Sequence, residues 1–127
     1  MVMLLDTSAW IEFFRGTEKG EIVEKVLEKE KTFTSIVSLG EVAHWCLKHR
    51  LENRIGEYIN GIKQTSTILE VNQDVVMAAG KINFERKKTV KSWDIVDSII
   101  LATGSLYSLK ILTRDIHFKG LHSVHLL

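Results

Sequence analysis

Four carboxylates lie where a predicted strand gives way to a helix or a loop. Asp6 and Asp115 each follow a short apolar run, and Glu41 and Asp97 lie in the first turns of predicted helices. In an open parallel sheet, the carboxyl ends of the strands share one edge, and ligands bind there. We therefore expect these four side chains to converge at that edge.

Four converging carboxylates would form a site for a hard cation. Oxygen ligands favour magnesium or manganese, and Mg²⁺ is usually held by one or two carboxylates together with waters. Two such ions roughly 3.5–4 Å apart can stabilise the attacking and leaving oxygens of a phosphodiester displacement. Two carboxylates about 4 Å apart repel each other by about 4 kcal/mol at an effective dielectric constant near 20. The acids therefore need a cation, or some of them must stay protonated.

Each acid also has a purely structural explanation. Asp6 could cap the helix that follows it, and Asp115 could be an ordinary loop acid. The spacing of a capping box is present at two places, Ser38-x-x-Glu41 and Asp94-x-x-Asp97. For Asp94 we prefer the capping role to a role in the site. The occurrence of four acids at four junctions favours a shared site over four separate structural roles.

Hydrophobic periodicity predicts the elements that must position these acids. The predicted strands are 2–5, 32–36, 67–71, 110–113 and 123–126. The predicted helices are 8–15 (ending at Gly16), 20–31, 38–50, 52–64, 73–87 and 95–108. This alternation implies one α/β domain over residues 1–127, with a central, mostly parallel sheet of four to five strands between two layers of helices.

Helical spacing also predicts which sides of the two acid-bearing helices face the core. The core stripe of helix 38–50 would be Leu39, Val42, Ala43, Cys46 and Leu47. The core stripe of helix 95–108 would be Ile95, Val96, Ile99, Ala102, Thr103 and Leu106. Glu41 and Asp97 would then lie on the sides of their helices opposite these stripes.

The composition is that of a folded protein and excludes several functional classes. The 127 residues are 45% hydrophobic and 26% charged, which excludes a disordered chain. No apolar run approaches the roughly 18 residues of a membrane span. The single cysteine, Cys46, excludes a disulfide framework and a cysteine zinc site. We expect a cytoplasmic protein that does not enter the membrane.

Several basic and aromatic side chains could bind RNA or a partner protein. Lys87, Lys88 and Lys91 precede the Asp97 helix and could contact phosphates, or they could belong to a solvated helix end. Arg114 is a better candidate for a phosphate contact, although it could instead pair with a carboxylate. Trp93 could pack under the next helix as a hydrophobic staple, which we prefer, or stack on a base. Core burial or a protein interface could explain four further aromatic residues: Trp10, Phe13, Phe14 and Trp45.

The order and spacing of four motifs resemble those of PIN-domain ribonucleases, most closely the VapC-type toxins of prokaryotic toxin–antitoxin pairs. The resemblance covers essentially the whole chain. The motifs are Leu4-Leu5-Asp6-Thr7-Ser8, Ser35-Ile36-Val37-Ser38-Leu39-Gly40-Glu41, Asp97-Ser98-Ile99-Ile100-Leu101-Ala102-Thr103-Gly104 and Leu112-Thr113-Arg114-Asp115. Ser98 and Gly104 stand where the family often has alanine. We expect close packing at Gly104, because glycine costs about 1 kcal/mol relative to alanine inside a helix.

The resemblance implies a three-layer PIN fold and a Mg²⁺- or Mn²⁺-dependent endoribonuclease that acts as the toxin of a VapBC-type pair. The metal-binding and catalytic residues would be Asp6, Glu41, Asp97 and Asp115. The hydrogen-bond donors that orient these acids would be Thr7, Ser8 and Thr113. The resemblance also implies a homodimer and a cognate antitoxin protein.

Two other functional classes are compatible with part of the sequence. A PIN-fold module could hold RNA or a protein with little or no nuclease activity, but the four intact acids argue against a degenerate site. A phosphoacceptor domain also places an aspartate after an apolar strand. The haloacid-dehalogenase-like phosphatases need Asp-x-Asp, however, and the second residue after Asp6 is Ser8.

Overall fold

Strands and helices alternate along residues 2–127, which the computed structural model describes. The strands are β1 Val2–Leu5, β2 Lys31–Ser35, β3 Thr67–Leu69, β4 Lys110–Thr113 and β5 Val124–Leu126. The helices are α1 Thr7–Arg15, α2 Glu18–Lys29, α3 Ile36–Lys48, α4 Ile55–Thr65, α5 Gln73–Arg86 and α6 Ile95–Leu106. Two short 3₁₀ helices, Glu52–Arg54 and Ile116–Phe118, complete this part of the chain. No helix within it is long and apolar enough to cross a membrane.

The sheet has the order β3-β2-β1-β4-β5, and every neighbouring pair of strands is parallel. Strand β1 lies in the middle, where Leu4 pairs with Phe33 of β2 and Ile111 of β4. Helices cover both faces, which confirms the predicted three-layer α/β/α class. Because β1 and β4 are neighbours, the residues that follow them leave the sheet side by side.

The two faces of the sheet have separate hydrophobic cores. Leu5 packs with Trp10 of α1 and Val42 of α3 in one core. Leu4 packs with Ile100 of α6 in the other. Successive residues of a strand point to opposite faces, so these adjacent leucines help anchor both helical layers. The carboxyl end of β1 is thereby held firmly on both sides.

The predicted core stripes of α3 and α6 are partly wrong. Leu47 is 55% exposed, Ile95 is 46% exposed and Leu106 is 49% exposed. All three lie in the first or last turn of their helix, where less of the neighbouring layers remains to cover a side chain. Gly104, in contrast, is closely packed as predicted. A Cβ atom at Gly104 would lie 2.9 Å from side-chain atoms of Ile111.

Candidate functional site

The four predicted acids lie at the carboxyl end of the sheet. Asp6 follows β1, and its backbone N–H donates a hydrogen bond to the Leu112 carbonyl of β4 at 3.0 Å. Asp115 follows β4. Glu41 lies in the second turn of α3, and Asp97 is the third residue of α6. The strand order therefore brings acids from two central strands together with acids from two helices.

One pocket of about 420 Å³ contains all four acids in its lining. Asp6, Glu41, Asp97 and Asp115 contribute to its wall, and among residues 2–127 Arg114 is the only basic residue that does so. The expected convergence of the acids is thus present in the fold.

Asp6 is held rigidly by hydrogen bonds to both of its oxygens. Its Oδ1 accepts from the backbone N–H of Thr7 at 2.8 Å, which caps α1. Its Oδ2 accepts from the hydroxyls of Thr113 at 2.8 Å and Ser8 at 3.1 Å. The capping role of Asp6 and its place in the pocket are therefore compatible.

Glu41 is half-buried and is linked to Asp6 through Thr7, whose backbone N–H donates to Asp6 and whose hydroxyl donates to Glu41. Its Oε1 accepts from the Thr7 hydroxyl at 2.5 Å. The capping box suggested by Ser38 and Glu41 is wrong, because α3 begins at Ile36, two residues earlier than predicted, and is capped by Ser35. Glu41 lies beyond the first turn of α3 and is not needed to start the helix.

Asp97 forms a capping box with Asp94, as their spacing predicts. Asp94 Oδ1 accepts from the Asp97 N–H at 3.0 Å, and Asp97 Oδ2 accepts from the Asp94 N–H at 3.1 Å. Asp94 does not line the pocket, which agrees with the preferred capping role. Trp93 is fully buried, so it offers no surface for stacking on a base. The preferred staple is also not formed, because the position of its apolar partner on α6 is Ser98, whose hydroxyl accepts a hydrogen bond from Trp93 Nε1 at 2.7 Å.

Asp115 is connected to Asp6 through a single hydroxyl. Thr113 Oγ1 accepts from the Asp115 N–H at 3.0 Å and donates to Asp6 at 2.8 Å. Asp115 Oδ1 also accepts from the His117 N–H at 2.9 Å and lies 3.1 Å from His117 Nδ1. The acids that follow the two neighbouring strands are therefore fixed relative to each other.

Burial and mutual repulsion raise the pKa of three acids. Burial raises the pKa of Asp6, and the charge of Asp115 adds to the effect. Burial raises the pKa of Glu41, with further repulsion from Asp6 and Asp94. Burial also raises the pKa of Asp97 to about 7, with further repulsion from three neighbouring aspartates. The acids thus act on one another across four elements, as expected of a shared site that needs positive charge.

The oxygens of these acids suit a hydrated divalent cation. Within the described residues, no hydrogen bond is accepted by Glu41 Oε2, Asp97 Oδ1 or Asp115 Oδ2. Across residues 2–127, no group of three or more His, Cys, Asp and Glu side chains has an arrangement that could hold a metal ion. Mg²⁺ usually needs only one or two protein carboxylates beside its waters, so the free oxygens of these acids would suffice to hold it.

The sequence prediction missed one acid beside the pocket, Glu12. Glu12 is only 4% exposed, and its Oε2 accepts from Arg114 Nη1 at 2.6 Å. Arg114 thus pairs with a carboxylate and also lines the pocket, so it combines features of the two alternatives left open by the sequence. The sequence did contain a signal for Glu12. It lies four residues after Ser8, a spacing that places both residues on the same side of α1.

The three candidate lysines lie outside the acidic pocket. Lys87 Nζ donates to the Trp93 carbonyl at 2.7 Å, and Lys88 pairs with Glu85 at 3.3 Å. Lys91 is exposed in the segment that leads to α6. These contacts leave the lysines on the surface, and their binding to RNA remains a prediction.

The four aromatic residues pack mainly into the core. Trp10 is fully buried, and Phe13 and Phe14 pack around it from half-buried positions. Trp45 packs against the same core and also lines a groove of about 480 Å³. This groove shares Glu41 with the acidic pocket. It therefore extends the pocket along α3 and provides a surface on which RNA or a protein segment could lie.

Comparison with known proteins gives consistent matches over almost the whole chain. A family model described as the PIN domain matches residues 3–122. A toxin–antitoxin complex from Klebsiella pneumoniae contains a chain with 26% identity and a TM-score of 0.75, covering 97% of this chain and 95% of that chain. A comparison with curated protein sequences gave no match.

Two more distant structures share the fold. DNA-bound VapBC from Salmonella typhimurium has 18% identity and a TM-score of 0.77, covering 100% of this chain and 98% of that chain. VapC20 from Mycobacterium tuberculosis, a sarcin-ricin loop cleaving toxin, has 14% identity and a TM-score of 0.76, covering 98% of this chain and 97% of that chain.

Proposed function

The chain belongs to the PIN domain family, and on that premise we propose that it is a Mg²⁺- or Mn²⁺-dependent endoribonuclease, the toxin of a VapBC-type pair. The observation that carries this proposal is the single pocket lined by all four acids at the carboxyl end of the sheet. The solved toxin–antitoxin structures of the same fold support the toxin role, and VapC20, a sarcin-ricin loop cleaving toxin, supports the choice of RNA as the substrate.

Asp6, Glu41, Asp97 and Asp115 would hold the cation directly or through water. When bound, such an ion lowers the pKa of its water and neutralises charge on the phosphate. The Thr113 hydroxyl keeps Asp6 and Asp115 in register, and the Thr7 hydroxyl does the same for Glu41. These hydrogen bonds already restrict the side chains of the acids before a cation binds. Less side-chain freedom is therefore lost when it does bind.

Four basic side chains would position the RNA backbone around the pocket. Arg114 lies in the pocket wall itself, where its guanidinium suits a phosphate. Lys87, Lys88 and Lys91 would contact phosphates farther along the strand. Such contacts fix the register of RNA without reading its sequence.

An antitoxin protein would inhibit the enzyme by placing a basic side chain among the four acids. Support comes from a concentrated negative pocket in a chain whose formal net charge is +1. The groove beside Glu41 offers an apolar path toward the pocket along Trp45. Mn²⁺ titration of the protein with and without its bound partner tests this point. An unchanged titration curve together with unchanged RNA access would contradict it.

A second copy of the chain would cover the outer face of α5. Val76, Met77 and Phe84 are 52%, 58% and 68% exposed. At 100° per residue they fall within one third of the helix circumference, so they form a single apolar patch. Exposed patches of this kind mark protein interfaces.

The alternative is a PIN-fold module that holds RNA or a protein without cleaving it. The two proposals differ in whether the acids act chemically. The test is cleavage of a structured RNA pool in Mg²⁺, in Mn²⁺ and in EDTA, by the wild type and by Asp97→Asn. Asp74→Asn is the matched control, because Asp74 is also an aspartate in the first turn of a helix but lies on α5, away from the pocket.

We expect metal-dependent cleavage by the wild type and the Asp74→Asn control, and a loss of at least 100-fold in Asp97→Asn. A thermal stability of Asp97→Asn in EDTA that is no lower than that of Asp74→Asn would show that the loss is chemical. Metal binding without cleavage of any RNA in the pool would favour the binding-module alternative.

A further inference from the structure

Glu12 and Arg114 form a partly buried ion pair at the edge of the acidic pocket, and the proposed chemistry does not account for it. The two residues are far apart in sequence, on α1 and just after β4, yet Arg114 Nη1 lies 2.6 Å from Glu12 Oε2. The Glu12 side chain is 6% exposed, whereas that of Arg114 is 38% exposed. The Glu12 carboxylate is thus buried, and the Arg114 guanidinium extends from it to the surface of the pocket.

The surroundings of Glu12 fix its carboxylate and keep it charged. Its Oε1 accepts from the Thr17 hydroxyl at 2.8 Å, and Thr17 is itself fixed as the N-cap of α2. Burial alone would raise the pKa of Glu12, but the Thr17 hydrogen bond and the charge of Arg114 outweigh it and hold that pKa below its usual value. A buried acid in this state is an anchor for a cation.

The guanidinium of Arg114 has donors to spare. It carries five N–H groups, and its only hydrogen bond to a described residue is that of Nη1 with Glu12. The backbone N–H of Arg114 is separately held by the Ser8 hydroxyl at 3.0 Å. Main chain and side chain are both fixed, and the remaining donors are free for a ligand at the pocket wall.

Without its ion pair to Glu12, Arg114 would have other carboxylates to pair with. Four carboxylates line the same pocket, and arginine pairs readily with carboxylates. A guanidinium bound to them would occupy the place of the metal ion. Pairing with Glu12 removes this alternative, because it satisfies the arginine outside the metal-binding acids.

We propose that Glu12 is a positioning residue that holds Arg114 ready to bind an RNA phosphate and keeps it from pairing with the metal-binding acids. This inference rests on the proposed nuclease function and deepens it. It assigns two roles to one ion pair, phosphate binding through Arg114 and protection of the metal site through Glu12.

The test compares Glu12→Gln, Arg114→Gln and the double variant with the wild type. Arg15→Gln is the matched control, because Arg15 Nη1 lies 3.5 Å from the same Glu12 oxygen but Arg15 does not line the pocket. Two quantities are measured without turnover. One is Mn²⁺ affinity, and the other is the affinity of a fluorescein-labelled 12-nucleotide single-stranded RNA in EDTA over a series of salt concentrations.

We expect Arg114→Gln to weaken RNA binding about 3- to 10-fold and to reduce the salt slope by about 0.7, the value for one lost phosphate contact on single-stranded RNA. Glu12→Gln should do the same and also weaken Mn²⁺ binding at least 3-fold, because the released arginine turns to the acids. The double variant should recover Mn²⁺ affinity to the level of Arg114→Gln. Arg15→Gln should match the wild type in both measurements.

Wild-type RNA and Mn²⁺ binding by Glu12→Gln would overturn the proposal, as would Mn²⁺ affinity that stays low in the double variant. The second result would mean that Glu12 acts only on folding. If Glu12→Gln fails to fold, Glu12→Asp decides, since it keeps the charge but withdraws the carboxylate from Arg114. A wild type that binds Mn²⁺ and RNA but cleaves nothing would refute the nuclease function while leaving these comparisons decisive.

Discussion

Asp97 combines a structural and a chemical role in one carboxylate. Its Oδ2 completes the capping box of α6, and its Oδ1 accepts no hydrogen bond from the described residues. Its pKa is raised to about 7 by burial and by neighbouring acids. In the absence of a cation, the folded protein therefore keeps a proton on Asp97 at pH values where the unfolded chain has lost it.

This proton makes the metal-free protein less stable as the pH rises. Between about pH 4 and pH 7 the native state binds more protons than the unfolded state, so the free energy of unfolding falls through this range. The change in pKa corresponds to about 1.4 kcal/mol per unit. Asp97 is half-buried, so solvent screening leaves roughly 1–2 kcal/mol. Urea unfolding in EDTA between pH 5 and pH 8 should show this loss.

Asp97→Asn provides the control for this prediction. Its amide oxygen can still accept the Asp94 N–H, so the cap remains while the charge is removed. We expect the variant to show a flatter pH profile and to be more stable than the wild type at pH 8 in EDTA. Saturating Mn²⁺ should reverse the order at pH 8, because it binds the wild-type site. A variant that unfolds with the wild-type pH profile would contradict the raised pKa.

The sequence was informative about some of these residues and silent about others. Asp6, Glu41, Asp97 and Asp115 could be found because each follows a change from one type of element to another. The spacing from Ser8 could place Glu12 on the right side of α1, but its pairing with Arg114 could not be found, because contacts between residues so distant in sequence depend on the relative placement of α1 and β4. Local spacing contains no information about that placement.

The start of α6 illustrates how a helix terminus supports the site. Asp94 caps the helix and lies outside the pocket lining. Loss of a capping side chain typically costs about 1 kcal/mol. We predict that Asp94→Ala lowers the free energy of unfolding by about this amount, whereas Asp94→Ser keeps the cap and stays near the wild type.

Measurement of RNA cleavage distinguishes a capping role of Asp94 from a role as a metal ligand. Both Asp94 variants should retain cleavage within several-fold of the wild type at saturating Mg²⁺. Loss of cleavage in the stable Asp94→Ser variant would show that the carboxylate takes part in the chemistry.

The packing of α6 on β4 depends on the absence of a side chain at Gly104. A Cβ there would lie 2.9 Å from two atoms of Ile111 and 3.2 Å from the Leu109 carbonyl oxygen. Ile111 is buried and has little space to move. We predict that Gly104→Ala destabilises the protein by about 1–3 kcal/mol, the usual cost of overpacking a core.

Gly61→Ala is the matched control, because Gly61 is also a helical glycine, a Cβ there would meet nothing within 4 Å, and it lies on α4, away from the apolar patch of α5. Helix propensity alone should make this variant more stable by about 0.5–1 kcal/mol. Denaturant unfolding measures both substitutions. Stabilisation by Gly104→Ala would show that the contact between α6 and β4 is looser than described.

The type and order of the strands and helices could be predicted closely from hydrophobic periodicity. Strands and helices alternate as predicted, and parallel pairing follows because a helix connects most successive strands. The errors concern the ends of helices and strands. Leu47 and Leu106 have the spacing of core residues, but periodicity does not tell where the opposing layer stops. Ser35 rather than Ser38 caps α3, because β2 ends earlier than predicted.

The molecule has two surfaces of opposite character. The acidic pocket occupies the carboxyl end of the sheet, and the apolar patch occupies the outer face of α5. The sequence could not locate the patch, because apolar residues occur on all sides of α5. Val75 and Ala79 are buried, whereas Val76 and Met77 are exposed. Only the packing of α5 against α6 distinguishes the two sides.

The apolar patch predicts how the protein assembles. A stable interface usually buries about 800 Å² on each partner. This is more than three side chains cover, so the three exposed side chains would form only the centre of the interface. We expect the wild type to sediment as a dimer and Phe84→Glu to sediment as a monomer, because the substitution would put a carboxylate and the neighbouring Lys88, whose Nζ lies 4.5 Å from the Phe84 ring centroid, into an apolar contact. Ile22→Glu is the matched control, since Ile22 is 46% exposed on α2 and stands apart from the patch. A monomeric wild type, or a dimer that persists in Phe84→Glu, would remove the second copy from the proposal. Metal binding by the Phe84→Glu monomer would in addition show that one chain suffices to form the acidic site.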